Sequence, residues 1–150
     1  LRPDIEIKQT FLYLHQEEVQ ELAEKEWQES GHLELPMNIN WEVLLDMEES
    51  GVAKFYAAFK DGLIIGYVLV LVTESLVMMG TKLGHIEAIY VTKDNRKSRV
   101  ARDLISFTEK CLKGLGVERV IANSSAKNPI DRFLKMLHYQ ILETKYDKVI

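Results

Sequence analysis

Val91-Thr-Lys-Asp-Asn-Arg-Lys-Ser-Arg-Val-Ala-Arg-Asp-Leu104 is the stretch on which the reading of this chain turns. An apolar run from His85 to Val91 ends in it, and a helical pattern starts before it is over. Five cations (Lys93, Arg96, Lys97, Arg99 and Arg102) therefore gather where a helix begins. The exposed N–H groups of a helix start already make that end positive, so cations there are unfavourable on their own. A bound polyanion reverses the sign, because N–H groups and basic side chains then converge on the same phosphates. The alternative is a solvated basic helix end. The local excess of cations in an acidic chain favours the anion site.

Downstream, Val100, Leu104, Phe107 and Cys111 space as one helix face that stops near Gly114 or Gly116. Val117–Ala122 reads as a buried strand. Asn128-Pro129 reads as a cap and first turn for a helix carrying Ile130, Phe133, Leu134 and Leu137. Tyr139–Lys148 is expected to supply one or two closing strands. Upstream, Leu63–Val72 and Ala53–Phe59 are β-rich runs joined by Lys60-Asp61-Gly62, a strong hairpin signal. Leu76–Gly80 is apolar and irregular, and core packing is its expected role, with a pocket wall as the alternative. Trp41, Leu44, Leu45 and Glu48 predict a short helix ended by Ser50-Gly51, and Leu33–Asn38 a loop. Val19, Leu22, Ala23 and Trp27 predict a helix from His15 to Ser30, and Ile5–Lys8 a first strand. The order β-α-α-β-β-β-α-β-α-β implies an α/β (α+β) domain, a mixed, mostly antiparallel sheet flanked by helices.

At 150 residues the chain is expected to be one domain, 1–150, with a core that needs no disulfide or metal. The lone Cys111 falls on an apolar helix stripe and reads as core. The four histidines are scattered without ligand spacing, so no metal site is expected. No apolar run reaches membrane-spanning length and no signal peptide is visible, although Leu1 is not an initiator methionine; a reducing, cytoplasmic setting and no membrane partner are expected. Residues 1–51 carry 13 acidic and 3 basic side chains, whereas residues 52–150 carry 10 acidic and 16 basic. Such a split suggests partners of opposite sign, and an acidic first third disfavours nucleic acid. Taken singly, Glu17, Glu18, Glu21, Glu24 and Glu29 read as a solvated helix face. Nucleophile-elbow, P-loop and dinucleotide motifs are missing.

The run from Ala53 to Leu104 resembles the GNAT superfamily of acyl-CoA-dependent N-acetyltransferases. Phe55-Tyr-Ala-Ala-Phe-Lys-Asp-Gly-Leu-Ile-Ile-Gly-Tyr67 resembles its central hairpin, and Glu87-Ala-Ile-Tyr-Val91 its central strand. Arg96-Lys-Ser-Arg-Val-Ala101 resembles its acetyl-CoA motif, Arg/Gln-x-x-Gly-x-Gly/Ala, with Arg99 where the first glycine stands and Ala101 kept small. Asn123 through Tyr139 resembles the following strand and helix, in which Leu134 aligns with the family's frequent general-acid tyrosine.

The resemblance implies direct attack of an unprotonated amine on the thioester of acetyl-CoA, with no metal. It assigns the cofactor to Ile89, Tyr90 and Val91, to the loop Arg96, Lys97, Ser98, Arg99, Val100, Ala101 and Arg102, and to Asn128. His85 and Glu87 lie two apart on one strand, and period-two alternation predicts a shared face. Glu87 is the first choice for the base and His85 the second, each set against a purely structural polar role. The acceptor is expected to be a small-molecule or protein amine, cationic in view of the acidic first third, and a homodimer is compatible with the resemblance. The alternative is a non-catalytic acyl-CoA-binding or protein-interaction module on the same fold.

Overall fold

The computed structural model describes residues 2–30, 36–126 and 129–150. Five strands, β1 (Ile5–Thr10), β2 (Ala53–Lys60), β3 (Leu63–Glu74), β4 (Lys82–Val91) and β5 (Val117–Ala122), form one sheet in that order. The first three pairings are antiparallel and β4–β5 is parallel, as the connection through a helix requires. The β2–β3 hairpin closes through Asp61 and Gly62, both at positive φ (52° and 77°). That is the two-residue turn whose twist matches the strands it joins.

Helices cover both faces. On one side α1 (Gln16–Ser30) and α2 (Trp41–Glu49) lie over Phe55, Ala57, Phe59, Ile64, Tyr67 and Tyr90. On the other, α3 (Val100–Gly114) buries Leu104, Ile105 and Leu112 against Tyr56, Val68, Val70 and Ile86. The central strands β2 and β3 are covered twice, which is why their sequences run apolar instead of alternating. Asn40 caps α2 through its side chain on the Val43 N–H, 3.2 Å away. Gly116, at φ +84°, turns the chain from α3 into β5.

Three expectations are corrected. Residues 139–150 carry no strand: Ile141, Leu142, Tyr146, Val149 and Ile150 are exposed. β-favouring residues do not make a strand without a ladder partner, and this tail borders a cleft instead. Leu76–Gly80 is a projecting loop and not core, with Leu76 wholly exposed at 102%. It is held by the Ser75 hydroxyl, which accepts from the Val77 and Met78 N–H groups, and by Glu74, which accepts from Gly80. The last helix, α4 (Asp131–Met136), has Ile130 as its N-cap and Leu137 as its C-cap, so it starts after Pro129, which is not its first turn, and is shorter than expected. Its entry is closed by Ser124, whose hydroxyl accepts from the Ile130 N–H at 2.8 Å and donates to Asp131 at 3.0 Å. Asn128 and the 31–35 part of the predicted loop lie outside the described residues. Cys111 is half-buried in the α3 core, and burial pushes its thiol pKa up, as expected of an inert core cysteine.

Candidate active site

The parallel pairing of β4 with β5 runs from Lys82 opposite Val117 to Ile86 opposite Ala122 and stops. β4 continues to Val91 on β3 alone. Beyond Ile86 the two parallel strands therefore part, and the gap is the mouth of a cleft of about 1280 Å³. Its walls are Glu87–Val91, the residues after β5, the inner face of α1 and the start of α3. Backbone groups of β4 that would otherwise bond β5 face this space, free to meet another chain-like ligand.

Glu87 sits at the point of parting. Ile86 pairs with Val70 and Ala88 with Leu69, so Glu87 is the extra residue of a β-bulge. A bulge breaks strict alternation, so the relation of His85 to Glu87 is not simple period two. Glu87 is exposed and lines the cleft. His85 is half-buried, faces Leu71 and Ile121 across the ladders, and is not part of the cleft wall. Opposite Val91, at the end of β4, Gly66 lets β3 and β4 approach closely. A Cβ there would meet the Tyr90 carbonyl oxygen at 3.0 Å and Val91 Cγ2 at 3.1 Å. Gly66→Ala should cost about 1–3 kcal/mol of stability through overpacking against backbone, readable as a lower urea midpoint.

The basic loop starts directly after β4. A 3-10 turn, Lys93–Asn95, leads to Arg99 as the N-cap of α3. Arg99 has φ −84° and ψ 7°, a conformation open to any residue, so its replacement of a glycine brings no backbone strain. Val100 and Leu104 are buried and seat the helix start, while Ala101 lines the cleft. The first-turn N–H groups of α3 have no intrahelical acceptor and point out of this end.

The cations are not equivalent. Arg96 is engaged: its Nε donates to the Val91 carbonyl at 2.7 Å, its guanidinium pairs with Glu29, and it stacks over the Tyr90 ring at 5.3 Å. It ties the end of α1 to the end of β4. Among the described residues, Lys97, Arg99 and Arg102 have no side-chain ion pair.

Two carboxylates on α1 belong to this site and were not legible as such from charge. Tyr67 donates its hydroxyl to Glu26 at 2.9 Å, and Tyr90 donates to Glu29 at 3.1 Å. The two tyrosines are direct cross-strand partners, with ring centroids 6.1 Å apart. Burial raises the Glu26 pKa, opposed by the Tyr67 hydrogen bond and reinforced by the charge of Glu29. A signal was available: Val19, Leu22, Glu26 and Glu29 continue one helical stripe, so two acids occupy positions that face the sheet. Glu29 is thus no solvated face residue.

Leu134, the position that the resemblance aligns with a tyrosine, lines the cleft. Tyr139 is turned away from it and donates to Glu109 of α3 at 3.0 Å. Burial and that carboxylate raise its pKa further. Tyr146 of the tail borders the cleft instead. No cluster of metal-ligating side chains exists among the described residues, and none of their helices is long and apolar enough to cross a membrane.

Residues 13–138 match the sequence model of the acetyltransferase (GNAT) family. The sequence matches none of the curated proteins. The fold is similar to that of a ribosomal-protein-alanine N-acetyltransferase from Brucella melitensis biovar Abortus 2308, at 17% identity and TM-score 0.73, covering 97% of this chain and 99% of that one. It is similar to an aminoglycoside acetyltransferase from an uncultured soil metagenomic sample, in complex with sisomicin, at 15% identity and TM-score 0.73, covering 97% of each chain. Glucosamine-6-phosphate N-acetyltransferase from Arabidopsis thaliana aligns at 17% identity and TM-score 0.69, covering 97% of each. At these identities the structures speak for the fold. The match over residues 13–138 shows that the chain belongs to the GNAT acetyltransferase family, whose acetyl donor is acetyl-CoA.

Proposed function

We propose that this GNAT acetyltransferase transfers the acetyl group of acetyl-CoA to a primary amine, of a small cationic molecule or a lysine side chain, by direct attack in a ternary complex. One observation carries the reading. The parting of β4 from β5 and the basic start of α3 lie at the same strand end, so an extended thiol arm and a pyrophosphate fit one continuous site.

Acetyl-CoA supplies the activated acetyl group; the chain supplies position, charge and a proton acceptor. Backbone groups of Ile89, Tyr90 and Val91 that face away from β3 align the pantetheine arm and polarise the thioester carbonyl. Arg99, Lys97 and Arg102, with the first-turn N–H groups from Ala101 onward, receive the pyrophosphate, Ser98 shapes the turn by donating to the Asn95 carbonyl and accepting from the Val100 N–H, and Ala101 keeps the approach open. Arg96 acts chiefly as the clasp that holds Glu29 and Val91 in place. Glu87 takes a proton from the incoming ammonium, which frees the nitrogen lone pair. His85, outside the cleft wall, is second choice. Tyr146 is the cleft tyrosine available to protonate the thiolate.

Arg99→Ala should weaken acetyl-CoA binding about tenfold, the lower end for one charge-assisted hydrogen bond at an exposed site. Calorimetry decides it, and unchanged affinity would move the phosphates off this loop. The catalytic reading is tested by a screen of primary amines with acetyl-CoA that follows thiol release. Leu134 in the cleft favours one other reading, an acyl-CoA-binding module without turnover. Binding of acetyl-CoA with no release on any amine would establish that instead.

A further inference from the structure

Glu26 is a half-buried carboxylate with a hydroxyl partner and no cation. Tyr67 donates to it at 2.9 Å, yet among the described residues it forms no ion pair. Its neighbour Glu29, three residues on, has Arg96 and Tyr90. The contrast matters because a carboxylate in a desolvated site is costly unless a cation meets it. Burial and the Glu29 charge both disfavour the ionised form of Glu26, which a cation brought from outside would restore. The cleft wall includes Glu26 and Glu87 together with Trp27 and Trp41. Trp41 Nε1 is already committed, donating to Gln20 at 2.8 Å, so its ring contributes surface and not a donor.

Position adds a length. Tyr67 lies opposite Tyr90, and Glu87 is three residues before Tyr90 on β4. A strand rise of roughly 3.3 Å per residue separates the Glu26 side of the cleft from Glu87 by about 10 Å. A group hydrogen-bonded at each end leaves room for two nitrogens a few bonds apart. We propose that Glu26, held by Tyr67, is a specificity residue that receives a second cationic group of the acceptor while the amine to be acetylated sits at Glu87. The inference rests on the amine-acetyltransferase reading and narrows its substrate class to amines carrying a second positive charge.

The test pairs 1,4-diaminobutane with n-butylamine, which share chain length and differ by one ammonium. In the wild type the diamine should bind, in the presence of CoA, at least about tenfold more tightly by calorimetry. Glu26→Gln keeps an oxygen for the Tyr67 hydroxyl and removes the charge. It should abolish that preference by lowering diamine affinity far more than n-butylamine affinity, and Glu26→Asp should restore part of it. Among the described residues the groups acting on Glu26 are Tyr67 on β3 and Glu29 on α1, and Glu29 is in turn met by Tyr90 on β4 and by Arg96 just after it. Because the Tyr67 hydrogen bond lowers the Glu26 pKa, Tyr67→Phe should move the acid limb of diamine binding to higher pH, a change that lost packing alone would not produce. Equal wild-type affinity for the two amines, or a Glu26→Gln loss common to both, would overturn the assignment. Thiol release with acetyl-CoA is measured alongside. Diamine-selective binding without release would count against the catalytic reading and leave Glu26 standing.

Discussion

Leu104→Ala should lower the free energy of unfolding by about 2–5 kcal/mol, a large share of the roughly 5–15 kcal/mol that holds a domain folded. Leu104 is fully buried at 0% exposure, packed among Tyr56, Val68, Val70, Ile86 and Ile105, and its Cδ2 is 3.6 Å from the space over Gly66. Its neighbours in that cluster are themselves buried, so the cavity would be enclosed by core side chains. Urea unfolding gives the size of the loss, with an unchanged slope as the check that the denatured state is the same. Leu112→Ala is the informative companion, because Leu112 is equally buried on the same helix but far from its start. Both should cost stability, whereas only Leu104→Ala should also weaken acetyl-CoA binding, since Leu104 seats the turn that carries Arg99. Equal effects of the two on binding would mean that the helix start is positioned by something other than this packing.

The elements themselves were legible because their signals are local. Asp61-Gly62 demands positive φ, Val100–Cys111 repeats at helical spacing, and both appear as read. Failures came where position depends on distant partners. The tail has strand-forming residues, but whether a segment joins a sheet depends on an available edge, which no local pattern encodes. Leu76–Gly80 reads as core because hydrophobicity was the only local cue, and Ser75 and Glu74 instead fix it as a projecting loop.

The candidate site divides the same way. The basic turn was visible as charge at a helix start, yet Arg96 pairs with Glu29, 67 residues earlier, a contact that no spacing rule supplies. The equal treatment of five cations therefore gives way to one structural clasp and a set without ion pairs. Glu29 reads as one of a row of solvated helix acids, and charge alone does not single out Glu26. Their place on the Val19–Leu22 stripe was the cue that they point inward.

Glu87→Gln should reduce turnover about a hundredfold with little change in acetyl-CoA affinity, the result for loss of a general base. Glu87 is the bulge residue where β4 leaves β5, so its side chain meets the cleft at the point where a thioester aligned along β4 would begin. The amide matches the carboxylate in shape and the side chain is exposed, so the variant should fold as the wild type does, with equal urea midpoints as the check. A loss of only a fewfold would assign Glu87 to positioning. His85→Gln separates the two strand candidates: with His85 outside the cleft wall, it should leave turnover within a fewfold of wild type. A general base also leaves a mark on pH. The rate of Glu87→Gln should track the free-amine fraction of the acceptor alone, whereas the wild-type rate should depend on it less steeply. Were both variants fully active across pH, solvent would be removing the proton, and the cleft would act by alignment alone.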